Sequence, residues 1–470
     1  MTWETVIGLE VHVQLATRSK LFCDCPTDFG ADPNRHVCPV CLGLPGALPV
    51  PNREAVRLAV RAALAIGSTV HEESMFARKH YFYPDLPKGY QISQFDRPLA
   101  TGGAVDIDGA DPGRPVRLQR LHLEEDAGKS VHDRFPGFTA VDFNRCGVPL
   151  VEIVTEPDLR SPGEARGLLT ALKQILEYVA VSDCNMEEGS LRVDANLSVR
   201  RPGEPLGTKQ EVKNMNSFSA VERALEALRD LQVTTRDAGR PVEQATYSAA
   251  TGTLRVMRRK EESHDYRYFP DPDLPPIQLG RAGIDVAGER RDLPELPAAR
   301  RRRLADRYGL SAYDAAVLTG SRVLADYYES VLAAGADPKE AANWVMGPVL
   351  ADAKEGSGAP RVPAERLAAV IGAVADGTLS QQAGKKVFAA IALRDEDPRQ
   401  AAARLGLVQV RDDRLAGWVD QVVAANPDAV RRLRDGESKV AGFLMGEIMS
   451  ASGGRADPRE ARRLLEERLG

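Results

Sequence analysis

The sequence has no long hydrophobic run, since no stretch of about 18 apolar residues occurs in the chain. Its N-terminal segment, from Met1 to Gln14, lacks the basic start and apolar centre of a signal peptide. Polar and apolar residues alternate there, and the segment carries Glu4, Glu10 and His12. These patterns argue against a membrane-spanning helix and a secretory signal, so we expect a cytoplasmic protein.

An excess of positive charge is also missing. The 62 Lys and Arg residues stand against 67 Asp and Glu residues, which gives a formal net charge of -5. Nonspecific, charge-driven binding to nucleic acid requires a basic surface, so the molecule as a whole is not built for it. Any RNA partner has to be held by local patches of basic residues.

Cysteine is scarce, and six residues in a chain of this length do not make a disulfide framework. Four of them form two closely spaced pairs, Cys23 with Cys25 and Cys38 with Cys41. Two thiolate pairs fill the corners of a tetrahedron and leave no open position, so we predict a structural zinc, with free thiols as the alternative. Gly43 gives the second pair the backbone freedom of a knuckle turn.

Hydrophobic periodicity predicts two architectures along the chain. Up to about residue 290, short alternating segments broken by Gly, Pro and Asp indicate an α+β fold with a mainly antiparallel sheet. The clearest strands are Thr5 to Leu15 and Leu191 to Val199, each with one apolar and one polar face. From Leu293 onward, helical segments follow one another. We predict domains over residues 1–292, 293–400 and 401–470, the last a small helical tail.

Capping sequences predict where several helices begin. Ser161 and Glu164 form a capping box around a proline in the first turn. Ser219 and Glu222 repeat the box ahead of a predicted helix of about 12 residues. Asp457 is predicted to cap the last helix.

Carboxylates and one imidazole recur on the predicted strands. They are Glu10, His12, Glu124, Glu125, Asp126, Glu152, Asp194 and Glu211. Gathered on one sheet, such groups suit a hard cation such as Mg2+ that carries phosphate oxygens, which implies ATP chemistry. Taken singly, each acid is equally well explained as a solvated strand residue. A P-loop is missing, because Leu123 stands where the motif ending in Gly128, Lys129 and Ser130 requires glycine.

Basic and aromatic residues are interleaved in a proline-punctuated stretch from Arg78 to Gln94. Such a segment can pair with phosphates and stack a base or a ribose. A loop whose aromatic side chains fill the core beneath it is an equally good interpretation for Phe82 and Tyr83, and a poorer one for Lys79.

At these residues the chain resembles the B subunits of the aspartyl/glutamyl-tRNA amidotransferases. The matching segments are Glu4 to Val13, Tyr81 to Gln94, Leu121 to Ser130, Met186 to Asn196 and Asp265 to Pro270. The resemblance implies a cradle-shaped α+β domain, then an all-α helical domain and a small helical tail that contacts tRNA. The four clustered cysteines place the chain in the zinc-bearing subset of that family.

The resemblance also implies a reaction, in which ATP and Mg2+ phosphorylate the side-chain carboxylate of Glu-tRNA(Gln) or Asp-tRNA(Asn), and ammonia then displaces phosphate. The implied magnesium ligands are Glu10, His12, Glu124, Glu125, Glu152 and Asp194. The implied catalytic residues are Lys79, Glu125 and Glu211. The implied nucleotide or substrate contacts are Lys79, Tyr81, Tyr83, Lys88, Tyr90 and Arg192.

The sequence has no amidase signature: neither a Gly/Ser-rich segment with Ser-Ser-Lys nor a Gly-x-Cys-x-Gly nucleophile turn is recognised in it. Glutamine hydrolysis therefore has to take place elsewhere. By the resemblance, the amidase, or A, subunit of the same enzyme releases the ammonia, which travels through an internal channel. A small C subunit makes the assembly a heterotrimer.

Two other functions stay open from the residues alone. A zinc-containing tRNA-binding scaffold without chemistry of its own would explain the cysteines and the aromatic residues, but it would leave the converging acids unexplained. A metal-dependent phosphodiesterase would use the same acids. Phosphorylation of the aminoacyl group of a charged tRNA would separate the amidotransferase from both.

Overall fold

A computed structural model of the chain describes residues 3–107, 115–259, 266–356, 358–408, 413–434, 437, 439–454 and 456–469. The chain forms two compact units, the first ending at Ala298 and the second beginning at Ala299. The sequence-based boundary after residue 292 falls in the loop between the helices Val286–Arg291 and Pro297–Tyr308. Among the described residues, no helix is both long enough and apolar enough to cross a membrane.

The first unit is built on short strands. In chain order they are β1 (Glu4–Gln14), β2 (Thr69–Val70), β3 (Glu73–Ser74), β4 (Ala77–His80), β5 (Tyr90–Ser93), β6 (Ala100–Thr101), β7 (Ala104–Val105), β8 (Val116–Glu125), β9 (Lys129–Phe135), β10 (Phe138–Asp142), β11 (Pro149–Thr155), β12 (Leu191–Arg200), β13 (Gln210–Lys213), β14 (Ala245–Ser248), β15 (Arg255–Arg259), β16 (Phe269–Pro270) and β17 (Ile277–Gln278). Ten of them form one sheet in the order β15-β14-β13-β12-β1-β11-β8-β6-β2, with β7 beside β8. All neighbours run antiparallel except β13 and β14. The predicted α+β fold with a mainly antiparallel sheet is confirmed.

Strand β1 lies at the centre of this sheet, between β11 and β12. Four of its buried apolar side chains share one face: Ile7, Leu9, Val11 and Val13. Residues directly opposite each other in an antiparallel pair lie on the same face of the sheet. The register sets Glu10 opposite Asp194, His12 opposite Glu152, and Glu152 opposite His122. The polar face of β1 therefore continues into its neighbours on both sides.

Helices complete the core on the apolar face of the sheet. They are α1 (Arg53–Ala65), α2 (Pro162–Tyr178), α3 (Phe218–Asp237) and the short α4 (Val286–Arg291). The buried leucines of α2, such as Leu168 and Leu172, belong to the same hydrophobic core as Leu9 and Val11 of β1. Each such side chain contributes about 1.5–3 kcal/mol when buried, so this core fixes which face of β1 looks inward.

Two of the predicted helix starts can be compared in detail. Ser161 caps α2 as predicted, because its Oγ accepts a hydrogen bond from the backbone N–H of Glu164 at 3.1 Å. The second prediction is wrong: Ser217, not Ser219, caps α3 and accepts from the N–H of Ala220 at 3.1 Å. Helix α3 is also 20 residues long rather than about 12. The Ser-x-x-Glu pattern pointed to Ser219, which already lies in the first turn of α3, whereas the capping residue precedes that turn.

The second unit is all-α. Its helices are α5 (Pro297–Tyr308), α6 (Ala312–Leu318), α7 (Arg322–Ala333), α8 (Pro338–Trp344), α9 (Leu350–Glu355), α10 (Ala364–Ala375), α11 (Gln381–Leu393), α12 (Pro398–Arg404), α13 (Asp413–Ala425), α14 (Pro427–Arg434), α15 (Lys439–Ala451) and α16 (Pro458–Leu469), with a π-helical turn Val345–Val349 after α8. Asp457 caps α16 as predicted, accepting from the N–H of Arg459 at 2.9 Å.

This unit contains two separate hydrophobic cores. The first extends from Leu304 to Ala402, and the second from Leu415 to Leu465. The sequence-based boundary between residues 400 and 401 falls inside α12, whose Ala401 is buried in the first core. The helical tail with a core of its own therefore consists of α13 to α16.

Candidate active site and metal-binding groups

A cavity of about 850 Å³ opens over the polar face of the sheet in the first unit. Strands β1, β8, β11, β12 and β13 each contribute side chains to its floor. The acids and histidines among them are Glu10, His12, His122, Glu124, Asp126, Glu152, Asp194 and Glu211. The cationic residues are Lys79, Arg120, Arg145, Arg192 and Lys213. The strand register thus gathers most of the predicted acids in one cavity.

The first set of potential metal ligands, here called the histidine–carboxylate group, consists of His12, Glu124 and Glu152. Nε2 of His12 lies 3.5 Å from a carboxylate oxygen of each glutamate, and one ligand atom from each residue lies within 4.8 Å of the others. His122, on the neighbouring strand, places its Nε2 3.2 Å from Glu152. One imidazole and two carboxylates in this spacing fit a divalent cation such as Mg2+ or Mn2+ that keeps water or phosphate in its remaining positions.

Hydrogen bonds and charges within this group shift the pKa values of its members. Burial disfavours the charged imidazolium, but the hydrogen bond to Glu152 and the charges of Glu152 and Glu124 outweigh it and raise the pKa of His12 to about 9. Against the effect of burial, hydrogen bonds from His12 and His122 lower the pKa of Glu152 well below its ordinary value. An imidazole binds metal only in its neutral form, so a metal entering here has to displace a proton from His12.

The second set, here called the three-carboxylate group, consists of Glu10, Asp194 and Glu211, which lie on β1, β12 and β13 and bring their oxygens within 4.8 Å of one another. The ammonium of Lys213 lies 2.5 Å from Asp194 and 3.1 Å from Glu211. Burial and the nearby charge of Glu152 raise the pKa of Glu10. Three carboxylates this close together form a donor set that also suits a hard divalent cation.

Arg192, a predicted substrate contact, is held in the cavity wall by an ion pair. Its two terminal nitrogens donate to the two carboxylate oxygens of Asp126 at 2.8 and 2.9 Å, and Gln14 donates to the same carboxylate at 2.8 Å. Burial favours the neutral acid, but Arg192 and Arg145 lower the pKa of Asp126. Arg192 therefore anchors the end of β8 to β12 with a bidentate ion pair, although it also lines the cavity.

Aromatic residues form one wall of the cavity. The ammonium of Lys79 lies 5.7 Å from the ring centre of Tyr81 and 5.0 Å from that of Tyr266. Tyr268 lines the same wall and stacks on Phe95 with ring centres 4.2 Å apart. Cation–π contacts of this kind hold an ammonium in place while leaving its charge available to a phosphate.

Of the predicted aromatic contacts, Tyr81 lines the cavity and Tyr83 does not. Tyr83 is 66% exposed and touches the edge of the Tyr81 ring, with ring centres 6.3 Å apart. The loop therefore carries Tyr83 away from the floor, so its predicted role in the cavity is not supported by its position. Asp265, at the start of the last matching segment, lies outside the described residues.

The structure corrects the predicted site at Glu125, Lys88 and Tyr90, because none of the three lines the cavity that contains the histidine–carboxylate group. They line a separate cavity of about 210 Å³ together with Cys23 and Cys41. The buried carboxylate of Glu125 forms an ion pair with Lys88 and accepts a hydrogen bond from the N–H of Ile92 at 2.9 Å. Adjacent residues of a strand point to opposite faces, so Glu124 and Glu125 cannot both reach one cation.

The four cysteines predicted to bind zinc come together in a loop of the first unit. One sulfur from each of Cys23, Cys25, Cys38 and Cys41 lies within 4.8 Å of the others. Those of Cys38 and Cys41 are 3.9 Å apart. A tetrahedral site with Zn–S bonds of about 2.3 Å has sulfur–sulfur edges of about 3.8 Å, so the spacing fits.

The turn after the second cysteine pair has the predicted special conformation. Gly43 has a φ of +65°, and a Cβ at this position would collide with the side chain of Lys88. A hydrogen bond from the thiol of Cys23, with help from the N–H of Cys38 and the charge of Lys20, lowers the pKa of Cys41. A thiolate is therefore favoured at Cys41, and thiolates are the form that binds zinc.

Several residues of the cavity were missed from the sequence. They are His122, Lys213, Tyr266 and Tyr268, none of which was assigned to the site. The signal for His122 and Lys213 was available, because each lies two residues from a predicted acid on the same strand and so on the same face. Tyr266 and Tyr268 belong to the matching segment Asp265 to Pro270, but nothing in that segment assigned their side chains to a cavity built on strands distant in the chain.

The first unit is a mainly antiparallel sheet that carries a charged, histidine-containing cavity, and the second unit is all-α. The chain is thus a two-unit protein whose candidate active site lies in its N-terminal unit. The sequence model of the GatB/GatE catalytic domain matches residues 5–285, and that of the GatB domain matches residues 326–469. The chain belongs to the GatB family.

Several curated proteins are similar to the chain over its full length. Each of three is named as the B subunit of an aspartyl/glutamyl-tRNA(Asn/Gln) amidotransferase. The protein from Moorella thermoacetica is 52% identical over 100% of both chains. The one from Halorhodospira halophila is 48% identical over 100% of this chain and 99% of its own, and that from Carboxydothermus hydrogenoformans is 48% identical over 99% of each.

The cysteine cluster gives a first prediction. Replacing Cys38 and Cys41 by serine should remove one zinc per chain and lower the free energy of unfolding by several kcal/mol, because metal binding to four thiolates contributes to folding. Elemental analysis and urea unfolding measure the two effects. Cys184→Ala, at a buried cysteine outside the cluster, serves as the control and should keep the metal. Chelator-washed wild-type protein without zinc above background would contradict the prediction.

The buried pair of Glu125 and Lys88 gives a second prediction. Glu125→Gln leaves the ammonium of Lys88 buried without a counter-charge, so we expect a loss of about 3–5 kcal/mol in the free energy of unfolding. The double variant Glu125→Gln/Lys88→Met removes both charges and should recover most of that loss. Urea unfolding of the three proteins provides the measurement, and an unchanged stability of Glu125→Gln would show that the pair is not formed.

Proposed function

We propose that the chain is the ATP-using subunit of a cytoplasmic tRNA-dependent amidotransferase, a ligase of translation. It converts Glu-tRNA(Gln), Asp-tRNA(Asn) or both into the corresponding amides. The observation that carries this proposal is the presence of two metal-binding donor sets, the histidine–carboxylate and the three-carboxylate groups, on one floor beside Lys79 and Lys213. The substrate class is taken from the names of the relatives.

In the first half-reaction, an oxygen of the substrate's side-chain carboxylate attacks the γ-phosphorus of ATP, the bond to ADP breaks, and an acyl phosphate forms. Bound Mg2+ would neutralise and orient the phosphate oxygens. Its donors would come from the histidine–carboxylate group and from the three-carboxylate group. Lys79, already close enough to Glu124 and Glu152 to have its pKa raised against the effect of burial, adds positive charge where the phosphates carry negative charge.

In the second half-reaction, ammonia attacks the acyl carbon, phosphate leaves with the bonding electron pair, and the new amide nitrogen loses its proton to the departing phosphate. The sequence offers no amidase signature for releasing this ammonia from glutamine. We therefore propose that a separate amidase, the A subunit, supplies it and that a small C subunit is the third member of a heterotrimer. The zinc at the four cysteines is proposed to be structural.

A zinc-containing tRNA-binding scaffold is the alternative. It would account for the cysteine loop and the aromatic wall, but a floor of carboxylates repels RNA phosphates unless metal is bound. The amidotransferase explains why the acids, the histidines and Lys79 share one cavity. Measurement of aminoacyl phosphorylation separates the two functions directly.

The histidine–carboxylate group gives a third prediction. Glu124→Gln in the assembled complex should lower the rate of ATP-dependent phosphorylation of the aminoacyl group by about a hundredfold or more, because a metal-binding carboxylate is lost. Affinity for the charged tRNA should stay close to wild type. The assay follows ADP release with ammonium as the nitrogen donor, so that glutamine hydrolysis by the amidase does not limit the rate.

Glu222→Gln is the matched control, since Glu222 pairs with Arg166 on the helices outside the cavity. It should phosphorylate at the wild-type rate. Titration of Mn2+ by paramagnetic resonance adds a second reading, in which Glu124→Gln should bind the ion more weakly. Wild-type turnover by Glu124→Gln would remove this group from the site, and unaltered phosphate transfer with no bound ion would refute the metal.

The helical tail gives a fourth prediction. Four of its exposed arginines are paired with acids of the same region: Arg431 with Asp428, Arg432 with Glu437, Arg462 with Glu466, and Arg463 with Glu460 and Glu467. Such exposed pairs are weak, so a phosphate can replace the carboxylate. Ending the chain at Val408, after the preceding core, should raise the Michaelis constant for charged tRNA and flatten its dependence on salt.

Point variants test the same surface without truncation. Arg434, Lys439 and Arg462 line a cavity of about 750 Å³ in the tail. Replacing Arg434 and Lys439 together by glutamine should reduce the salt slope of tRNA binding by about one unit for each bound phosphate that the variant no longer holds. Phosphorylation at saturating tRNA should not change. Equal affinity and equal salt slope in both the truncated and the point variants would make the tail a packing element only.

A further inference from the structure

Lys20 is a fully buried lysine that none of the proposed reaction steps uses. Its ammonium donates to the backbone carbonyl of His36 at 2.6 Å and to that of Phe143 at 3.3 Å, and lies 3.6 Å from the sulfur of Cys41. A buried ammonium is strongly destabilising unless a counter-charge compensates it. The two carbonyls are neutral, whereas the Cys41 sulfur, once a thiolate, supplies a counter-charge within hydrogen-bonding distance.

The charge of the occupied cluster matches this position. Four thiolates around a divalent zinc carry a net charge of about -2. Cys41, the buried member of the four, also accepts a hydrogen bond from the N–H of Cys38 at 3.1 Å. A charged hydrogen bond from Lys20 withdraws electron density from the Cys41 sulfur and offsets part of the cluster's charge.

The same ammonium connects the cluster to the floor of the large cavity. Phe143, whose carbonyl it holds, begins the segment 143–148. Further along, the carbonyl of Gly147 accepts from the N–H of Leu21 at 2.8 Å, and the N–H of Gly147 donates to the carbonyl of Asp126 at 2.8 Å. The thiol of Cys146 donates to the carbonyl of Cys41 at 3.3 Å. This segment is therefore bonded to the cysteine loop on one side and to Asp126 on the other.

We propose that Lys20 is a positioning residue that couples zinc occupancy to the active-site floor: its ammonium neutralises the thiolate cluster and ties it to segment 143–148, which holds Asp126. The inference rests on the proposed zinc and goes beyond it, because a structural zinc needs no such link. Without zinc, the cluster loses its fixed shape, Lys20 loses its place, and the segment is free to open. Arg192, paired with Asp126, would then lose part of its support.

The test uses the full-length chain with Lys20→Gln, which keeps a donor for the carbonyls but removes the charge, and Lys20→Arg, which restores the charge. Zinc release to a chelator should be about tenfold or more faster in Lys20→Gln than in wild type, as is typical when a partner of a metal ligand is lost. In the cobalt-substituted proteins, the sulfur-to-metal charge-transfer band should shift to lower energy in Lys20→Gln and return towards wild type in Lys20→Arg. Lys173→Met, on α2, is the control and should change neither reading.

Hydrogen exchange of the wild-type protein supplies a measurement that does not depend on a variant. Removing zinc should accelerate exchange in segment 143–148 and at Asp126, while the core of α2 stays protected. Wild-type protein without zinc would refute the proposed metal itself. Wild-type protein that holds zinc, with unchanged release and an unchanged cobalt spectrum in Lys20→Gln, would refute the role of Lys20. Unchanged exchange in segment 143–148 after zinc removal would refute the coupling.

Discussion

The pairing of β1 with β11 and β12 is the constraint on which the site depends. This central strand buries Ile7, Leu9, Val11 and Val13 and turns Glu10 and His12 to the cavity. A slip of one residue against either neighbour would send the apolar set to the polar face. The hydrophobic core thereby fixes the register, and the register sets the acids of three strands next to one another. Packing on one face of the sheet thus positions the chemistry on the other.

Successive side chains of β8 point to opposite faces of the sheet, and this alternation divides the site into two environments. Glu124 reaches the histidine–carboxylate group, whereas Glu125, the next residue, forms a buried pair with Lys88 beside the cysteine loop. The two sides meet again at the end of β8, where Asp126 binds Arg192 and receives the backbone of segment 143–148. A charged floor and a thiolate cluster are therefore only a few residues apart along one strand, although their side chains point in opposite directions.

Charge compensation explains why so many acids can share one floor. Protonated His12 lies between Glu124 and Glu152, and Lys213 lies between Asp194 and Glu211. Uncompensated carboxylates at these distances would repel one another and hold their protons. Both groups already have a cation in the place that a metal would take. Metal binding at either group would therefore displace a proton from His12 or the ammonium of Lys213 from its carboxylates.

The sequence by itself determined the α+β fold, the polar and apolar faces of β1 and β12, and the two cysteine pairs, because periodicity and spacing along one segment are local properties. The resemblance of its motifs indicated the family. The tertiary structure decided which acids lie close enough together to share a cation. Glu10 and Glu124 are both strand acids, and only the pairing of distant strands assigns them to different groups. In the structure Glu125 lies in the smaller cavity beside the cysteine loop, and four residues not assigned from the sequence line the large one: His122, Lys213, Tyr266 and Tyr268. Distances between strands are set by register and core packing, and a single segment of sequence does not contain them.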